Sequence, residues 1–153
     1  MKQRVLFLSL ALVAFGIVAG CKGKSSAKPV SELIRKRWTA NIVKENTTEV
    51  YKKGAASNTK PGYSSFVLDL SGATGNTVRI TFVDGSQSVG TWELSSDNKT
   101  LTLKDLSPPP TGTNGTIVYT INGTVTDSQL SLTRTTPDPK TGNTTNEYQL
   151  VNP

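Results

Sequence analysis

Few residues of this 153-residue chain could do chemistry, and the best placed of them suit recognition. Arg134 shares the parity of Leu130 and Leu132 in a run whose alternate residues are polar. Tyr148 and Tyr119 fall in phase with apolar neighbours in two other such runs, and Trp92 in a fourth. Facing an apolar interior, these groups could orient a small apolar ligand through a few polar contacts. The guanidinium would take a ligand carboxylate through two parallel hydrogen bonds. The competing expectation is that Arg134 ends its strand in water and that Trp92, like Trp38, anchors a core.

Catalysis has little to work with. The chain holds no His and one Cys, Cys21. That excludes a Ser-His-Asp triad, a His-ligated zinc site, an internal disulfide and a CxxC motif. Acid–base work would fall to paired carboxylates. Asp69 and Glu93 lie on the polar parity, Asp84, Asp97 and Asp138 occupy turns, and Glu45 and Glu49 have no evident partner. The expectation is a protein that is not an enzyme and uses no metal or cofactor.

Cys21 has a different use. Lys2 and Arg4 precede an apolar run from Val5 to Ala19, too short for an ordinary spanning helix of about 20 residues. The run closes on Val18-Ala19-Gly20-Cys21, which resembles a bacterial lipobox. That resemblance implies cleavage after Gly20 and palmitate-type acyl chains on Cys21. More than one chain is what stable membrane anchoring requires. Residues 1–20 then form a signal peptide, 21–28 the lipidated Cys and a flexible tether, and 29–153 one domain. Cleavage removes Lys2 and Arg4 and no acid, taking the charge from +6 to +4. Lys22, Lys24 and Lys28 lie in the tether, where contact with anionic head groups and simple solvation are both open readings. Arg35-Lys36-Arg37 and Lys52-Lys53 are the basic clusters of the domain. No basic stripe with interleaved aromatics accompanies them, so nucleic acid is not an expected partner.

The elements that must position these groups read as strands. Ser31 could cap a short helix ahead of Leu33 and Ile34. Beyond Arg37 a period of two takes over. Trp38, Ala40 and Ile42 are in phase, as are Phe66, Leu68 and Leu70, and Val78, Ile80 and Phe82. Gly90, Trp92 and Leu94 follow, then Leu101 and Leu103, Ile117, Tyr119 and Ile121, Leu130 and Leu132, and Tyr148 and Leu150. Such alternation marks antiparallel strands with one buried face, and the 22 threonines suit the outer one. Asp84-Gly85, Ser96 to Lys99, Gly72 to Asn76 and Asn122-Gly123 punctuate the strands as tight turns. Residues 54–62, 108–115 and 137–143 read as longer loops. The first strand, Arg37 to Lys44, is expected to continue after a bend through Thr47 to Lys53. The whole gives an all-β fold of eight or nine strands in up-and-down order, closed into a barrel that leaves no free edges. Such a barrel is just wide enough to fill with side chains or to hold one small ligand.

Trp38 after a short helix, the run from Gly90 to Leu103 and the later strands bearing Tyr and Leu resemble the lipocalin-like (calycin-type) domains of small Bacteroidetes lipoproteins. The resemblance covers about residues 31–151. Lys36 stands where true lipocalins carry Gly two residues before the first Trp, and their usual disulfide is missing. The resemblance therefore implies the fold more than the transport family. Within it, Arg134 with Tyr148 and Tyr119 resembles the carboxylate clamp of fatty-acid-binding relatives.

The expectation is a membrane-anchored lipocalin-like envelope lipoprotein that binds or carries a small apolar ligand at Arg134, Tyr148, Tyr119 and Trp92. The alternative is a non-catalytic interaction or structural accessory of an envelope complex, with a protein partner held by loops 54–62, 108–115 and 137–143. The expected location is the outer membrane, with basic Lys22-Gly23-Lys24 favouring a domain that faces the periplasm and exposure at the cell surface left open.

Overall fold

The computed structural model describes residues 27–153, so the leader, Cys21 and most of the tether lie outside the described residues. The periodic segments become nine antiparallel strands: β1 Arg37–Glu45, β2 Thr48–Lys52, β3 Val67–Asp69, β4 Thr77–Thr81, β5 Gln87–Leu94, β6 Thr100–Ser107, β7 Ile117–Ile121, β8 Gln129–Arg134 and β9 Asn146–Val151. From β3 onward each pairs with the next, and β9 returns to pair with β1 from Thr39 to Glu45. That last pairing closes an eight-strand antiparallel barrel.

β2 is the extra strand. It shares one edge of β1 with β3, covering Ile42 to Glu45 while β3 covers Arg37 to Thr39. The expected continuation past a bend is instead a hairpin, turned at Asn46 in the left-handed region (φ 54°). β2 has no second strand neighbour, and its outer edge is covered locally. Asn58 Oδ1 accepts from Lys52 N (2.7 Å), Asn58 Nδ2 donates to Lys52 O (3.2 Å), and Lys60 N donates to Val50 O (3.0 Å). This is one way a fold blunts an edge that could recruit another chain.

The phase of β1 changes partway. Ala40 pairs with Leu150 and Ile42 with Gln149, so Asn41 is an extra residue with no partner on β9. A bulge of this kind shifts every later side chain to the other face. Trp38 and Ala40 are buried before it, Val43 and Glu45 after it, and Ile42, expected inside, is only half-buried. A second irregularity, between β5 and β6, lies at Gly90, where a Cβ would come within 2.3 Å of the Lys104 carbonyl oxygen.

Most inward side chains expected from parity are buried, Ile42 and Leu94 being the half-buried exceptions. Leu68, Leu70, Ile80, Leu101 and Leu103 are fully covered, and Phe66, Phe82, Trp92 and Leu132 are 1–4% exposed. The N-terminal helix, α1, is a single turn, Val30–Leu33, capped by Pro29 without a side-chain hydrogen bond, so Ser31 is not its cap. It survives by docking: Ile34 is fully buried and its carbonyl accepts from Trp38 Nε1 at 2.9 Å.

The barrel has two different ends. α1 and the turns at 70–76, 95–99 and 122–128 lie at the end where the tether enters. The turns at 46–47 and 82–86 and loops 108–115 and 137–143 lie at the other, which loop 54–62 reaches at Lys60 to Gly62 after running along the outer edge of β2. Two of those loops carry 3₁₀ turns, Pro61–Ser65 and Pro139–Thr141.

Candidate functional site

The end opposite the tether is closed by polar side chains rather than open. Register brings three of the four sequence-predicted residues to it. Tyr119 pairs with Arg134 across β7 and β8, and Tyr148 pairs with Leu132 across β8 and β9. Tyr148 meets Tyr119 edge-on, with centroids 6.1 Å apart. Trp92 is not with them. It lies toward the tether end, where the Arg35 guanidinium sits 5.0 Å above its ring, so the four-residue site of the sequence reading is three residues plus a separate core anchor.

Arg134 does not end in water. It is 2% exposed, and its Nη1 lies 2.6 Å from Oδ2 of Asp138, itself 3% exposed. Asp138 was expected to serve turn chemistry, and it does that as well, since its Oδ1 accepts from Lys140 N at 3.0 Å. One carboxylate thus caps a 3₁₀ turn and neutralises a buried guanidinium. The Nε of Arg134 has no hydrogen-bond partner.

Around this pair the sequence reading missed Glu45, Tyr63 and Asn146. Glu45, 7% exposed, accepts from Lys60 Nζ (2.5 Å) and from the Tyr63 hydroxyl (2.8 Å). Asn146 is fully buried. Its Nδ2 lies within 3.5 Å of the Tyr63 hydroxyl, Asp138, Thr141 and the Tyr148 hydroxyl, and its Oδ1 accepts from Thr144 at 2.7 Å. Asn146 was findable, because it shares parity with Tyr148 and Leu150. Glu45 was not, because its inward direction depends on the Asn41 bulge.

The loop after β8 is the lid of this end. Lys140 donates to Asp84 and to Ser86 Oγ (2.9 Å) on the β4–β5 turn, with its ammonium over the Phe82 ring. Partial burial raises the Asp84 carboxyl, but hydrogen bonds from Lys140 and Ser86 outweigh it and hold the group down at about 2. Asn46 and Thr145 exchange two more hydrogen bonds, of 2.7 and 3.0 Å. Pro139 packs so closely on Gly112 of the β6–β7 loop that a Cβ there would come within 2.4 Å.

Burial first, then neighbouring Tyr148 and Glu45, pushes the Tyr63 hydroxyl far up. Burial also raises Tyr119 and Tyr148. All three are therefore neutral donors or acceptors across the physiological range. A group whose folded pKa is raised above its unfolded value of about 10 stabilises the fold below that value and loses that contribution as pH climbs past it. Each such tyrosine costs about 1 kcal/mol between pH 10 and 11, where the unfolded group is only part-ionised, so three cost about 3. In a Tyr51→Phe variant, which leaves only these three tyrosines, melting temperature should therefore fall between pH 10 and 11, with tyrosinate absorbance rising only as the protein unfolds. Tyrosinate forming in the folded barrel at pH 10 would contradict this assignment.

Among the described residues, the side chains around the network leave no enclosed space for a small ligand. The wall of a cavity large enough for a ligand would keep accessible surface of its own. The inward side chains keep almost none: Trp38, Tyr63, Tyr119, Phe66, Leu68 and Leu130 are each at most 2% exposed. Among the described residues the barrel interior is side-chain core. Two clefts open on the outer wall instead. One, of about 320 Å³, runs across β1, β8 and β9, and the other, of about 220 Å³, lies beside Asp69, Arg79 and Val89.

No family model and no curated protein matches the chain. Two solved structures resemble it. One is an uncharacterized protein from Bacteroides eggerthii, 12% identical, with 77% of this chain and 98% of that one covered at a TM-score of 0.45. The other is a lipocalin-like protein from Bacteroides uniformis, 11% identical, with 78% and 98% covered at a TM-score of 0.44.

Proposed function

We propose that the protein is a non-catalytic binding module of a bacterial envelope, anchored through acyl chains on Cys21 and engaging a protein partner through the loops at its far end. The observation that carries this reading is the convergence of loops 54–62, 108–115 and 137–143 at one end of a side-chain-filled barrel. The chain enters at the opposite end, where Lys28 bonds Asp127. A module tethered there presents the three loops away from its membrane. Gly112 against Pro139 and Lys140 against Asp84 hold neighbouring loops in one surface, which lowers the ordering cost of binding. Both buried carboxylates of that end are already paired, Glu45 with Lys60 and Asp138 with Arg134, which favours a structural over an acid–base role. The basic Lys22-Gly23-Lys24 supports an outer-membrane anchor with the domain in the periplasm.

A second reading has its own observation. The unpartnered Nε of buried Arg134 leaves part of a guanidinium fork for a ligand carboxylate that displaces Asp138 as the lid lifts. Purification from native envelope, with photo-crosslinking from Thr111 and mass spectrometry of extracted small molecules, separates the two. The loop reading expects a polypeptide crosslinked at Thr111 and no stoichiometric lipid. A fatty acid recovered one-to-one, and lost in Arg134→Met, would overturn it in favour of the second.

A further inference from the structure

The larger outer-wall cleft differs from the smaller one, which Asp69 and Arg79 line. Asn41, Gln149, Gln129 and Asn122 bring four carboxamides to it, Ser131 and Thr124 add hydroxyls, and none of its lining residues is charged. The side chains of Asn41, Gln129 and Gln149 make no hydrogen bond to another described residue. Asn122 commits only its nitrogen, to Thr133 Oγ1 at 2.8 Å, which leaves its oxygen free to accept. The strand irregularity described above coincides with the cleft, because Asn41 is the bulged residue of β1. Bulges often re-aim a side chain beside a site.

We infer that this cleft binds a neutral saccharide. Each carboxamide offers donors and an acceptor on adjacent atoms, which match the donor and acceptor of vicinal hydroxyl groups. The absence of charged lining groups disfavours anions and cations alike. An extended peptide is the weaker fit, because it would bind by adding to a free sheet edge. Here β8 is paired with β9 and β9 with β1, so their backbone groups are already used. A volume of about 320 Å³ lies at the small end of the range for ligand sites and has room for one or two pyranose rings. The site stands apart from the loops and from Arg134, so it does not depend on either reading of the far end.

The test uses the full-length protein in a detergent without a sugar head group, with side-chain amide resonances followed by NMR. Maltose, N,N′-diacetylchitobiose and a neutral Gly-Ser peptide are titrated separately. The expected result is a saturable shift of the Asn41, Gln129 and Gln149 amides with one of the disaccharides. Asn41→Ala combined with Gln149→Ala should weaken that binding at least ~10-fold, the loss of about two hydrogen-bonding groups. Its melting temperature should stay near the parent's, since both side chains lie outside the core. Saturation by the peptide alone, no saturable shift with either disaccharide, or unchanged affinity in the double variant would each overturn the assignment. Shifts confined to the far-end loops would do the same while leaving the loop reading intact.

Discussion

Asp138→Asn should destabilise the domain by about 3–5 kcal/mol, because it leaves the Arg134 guanidinium buried without its counter-charge. Typical domain stability is only about 5–15 kcal/mol, so this is a large fraction of the whole. For a domain of this size it corresponds to a fall of about 10–20 °C in melting temperature. Asparagine keeps the shape and can still accept from Lys140 N, so the loss reports charge rather than the turn cap. The decisive comparison is Arg134→Met combined with Asp138→Asn. Removing both charges takes away the desolvation cost as well as the attraction, and such replacements of buried pairs are often close to neutral. The double variant should recover at least half of the loss, giving a coupling energy above about 1 kcal/mol in a double-mutant cycle of urea melts. Strict additivity would mean that the two groups are screened by water and that the far end is looser than the geometry requires.

The second large effect concerns location. Cys21→Ser should move the protein from the membrane fraction to the soluble periplasmic fraction, with the mass of the acyl chains absent from the intact protein. Serine offers no thiol for the lipid, and anchoring through acyl chains is set by their number, a single chain binding only marginally and reversibly. The domain itself should melt as before, since it is tied to residue 21 only by the tether. Retention of a serine variant whose intact mass shows the leader removed would show that the basic tether or a partner holds it instead. That result would remove the anchor from the proposal while leaving the loop surface untouched.

The two outcomes bear on separate parts of one arrangement. At one end the chain enters beside Asp127, held by Lys28 and Lys36. At the other, paired charges and protonated tyrosines tie loops 54–62 and 137–143 to the barrel, and Pro139 packs on Gly112 of loop 108–115. This tying costs the interior its opening. Phe66 stacks on Tyr148 with centroids 4.7 Å apart, and Tyr63 meets the same ring edge-on at 6.2 Å, where a carrier would need empty space.

How much of this was legible beforehand follows from the range of the interactions. Alternation is local, so the strands, most inward residues and the closure of the meander could be read from Phe66, Leu68, Leu70 and their counterparts. The turns were equally local, since Asp84-Gly85 and Asn122-Gly123 carry their conformation in their own side chains and backbone. Direction within β1 was not, because one unpaired residue at Asn41 reverses the parity of everything after it. That reversal turned Ile42 away from the core and Glu45 into it, where Lys60 and Tyr63, fifteen and eighteen residues distant, neutralise it. Parity put Arg134 inside correctly but could not supply Asp138, because a loop residue has no period from which to read its direction.

The sequence by itself determined an antiparallel barrel, most of the residues that fill it, the lack of a histidine and the single cysteine behind a lipobox-like motif. Only the tertiary structure decided that Arg134 is neutralised rather than free, that the long loops gather at one end, and that four carboxamides share a cleft on the wall. The reason is physical. Periodicity follows from the pleat of each strand alone, whereas charge pairing, loop convergence and cleft lining depend on register between strands and on a single bulge, both fixed only once the sheet has closed.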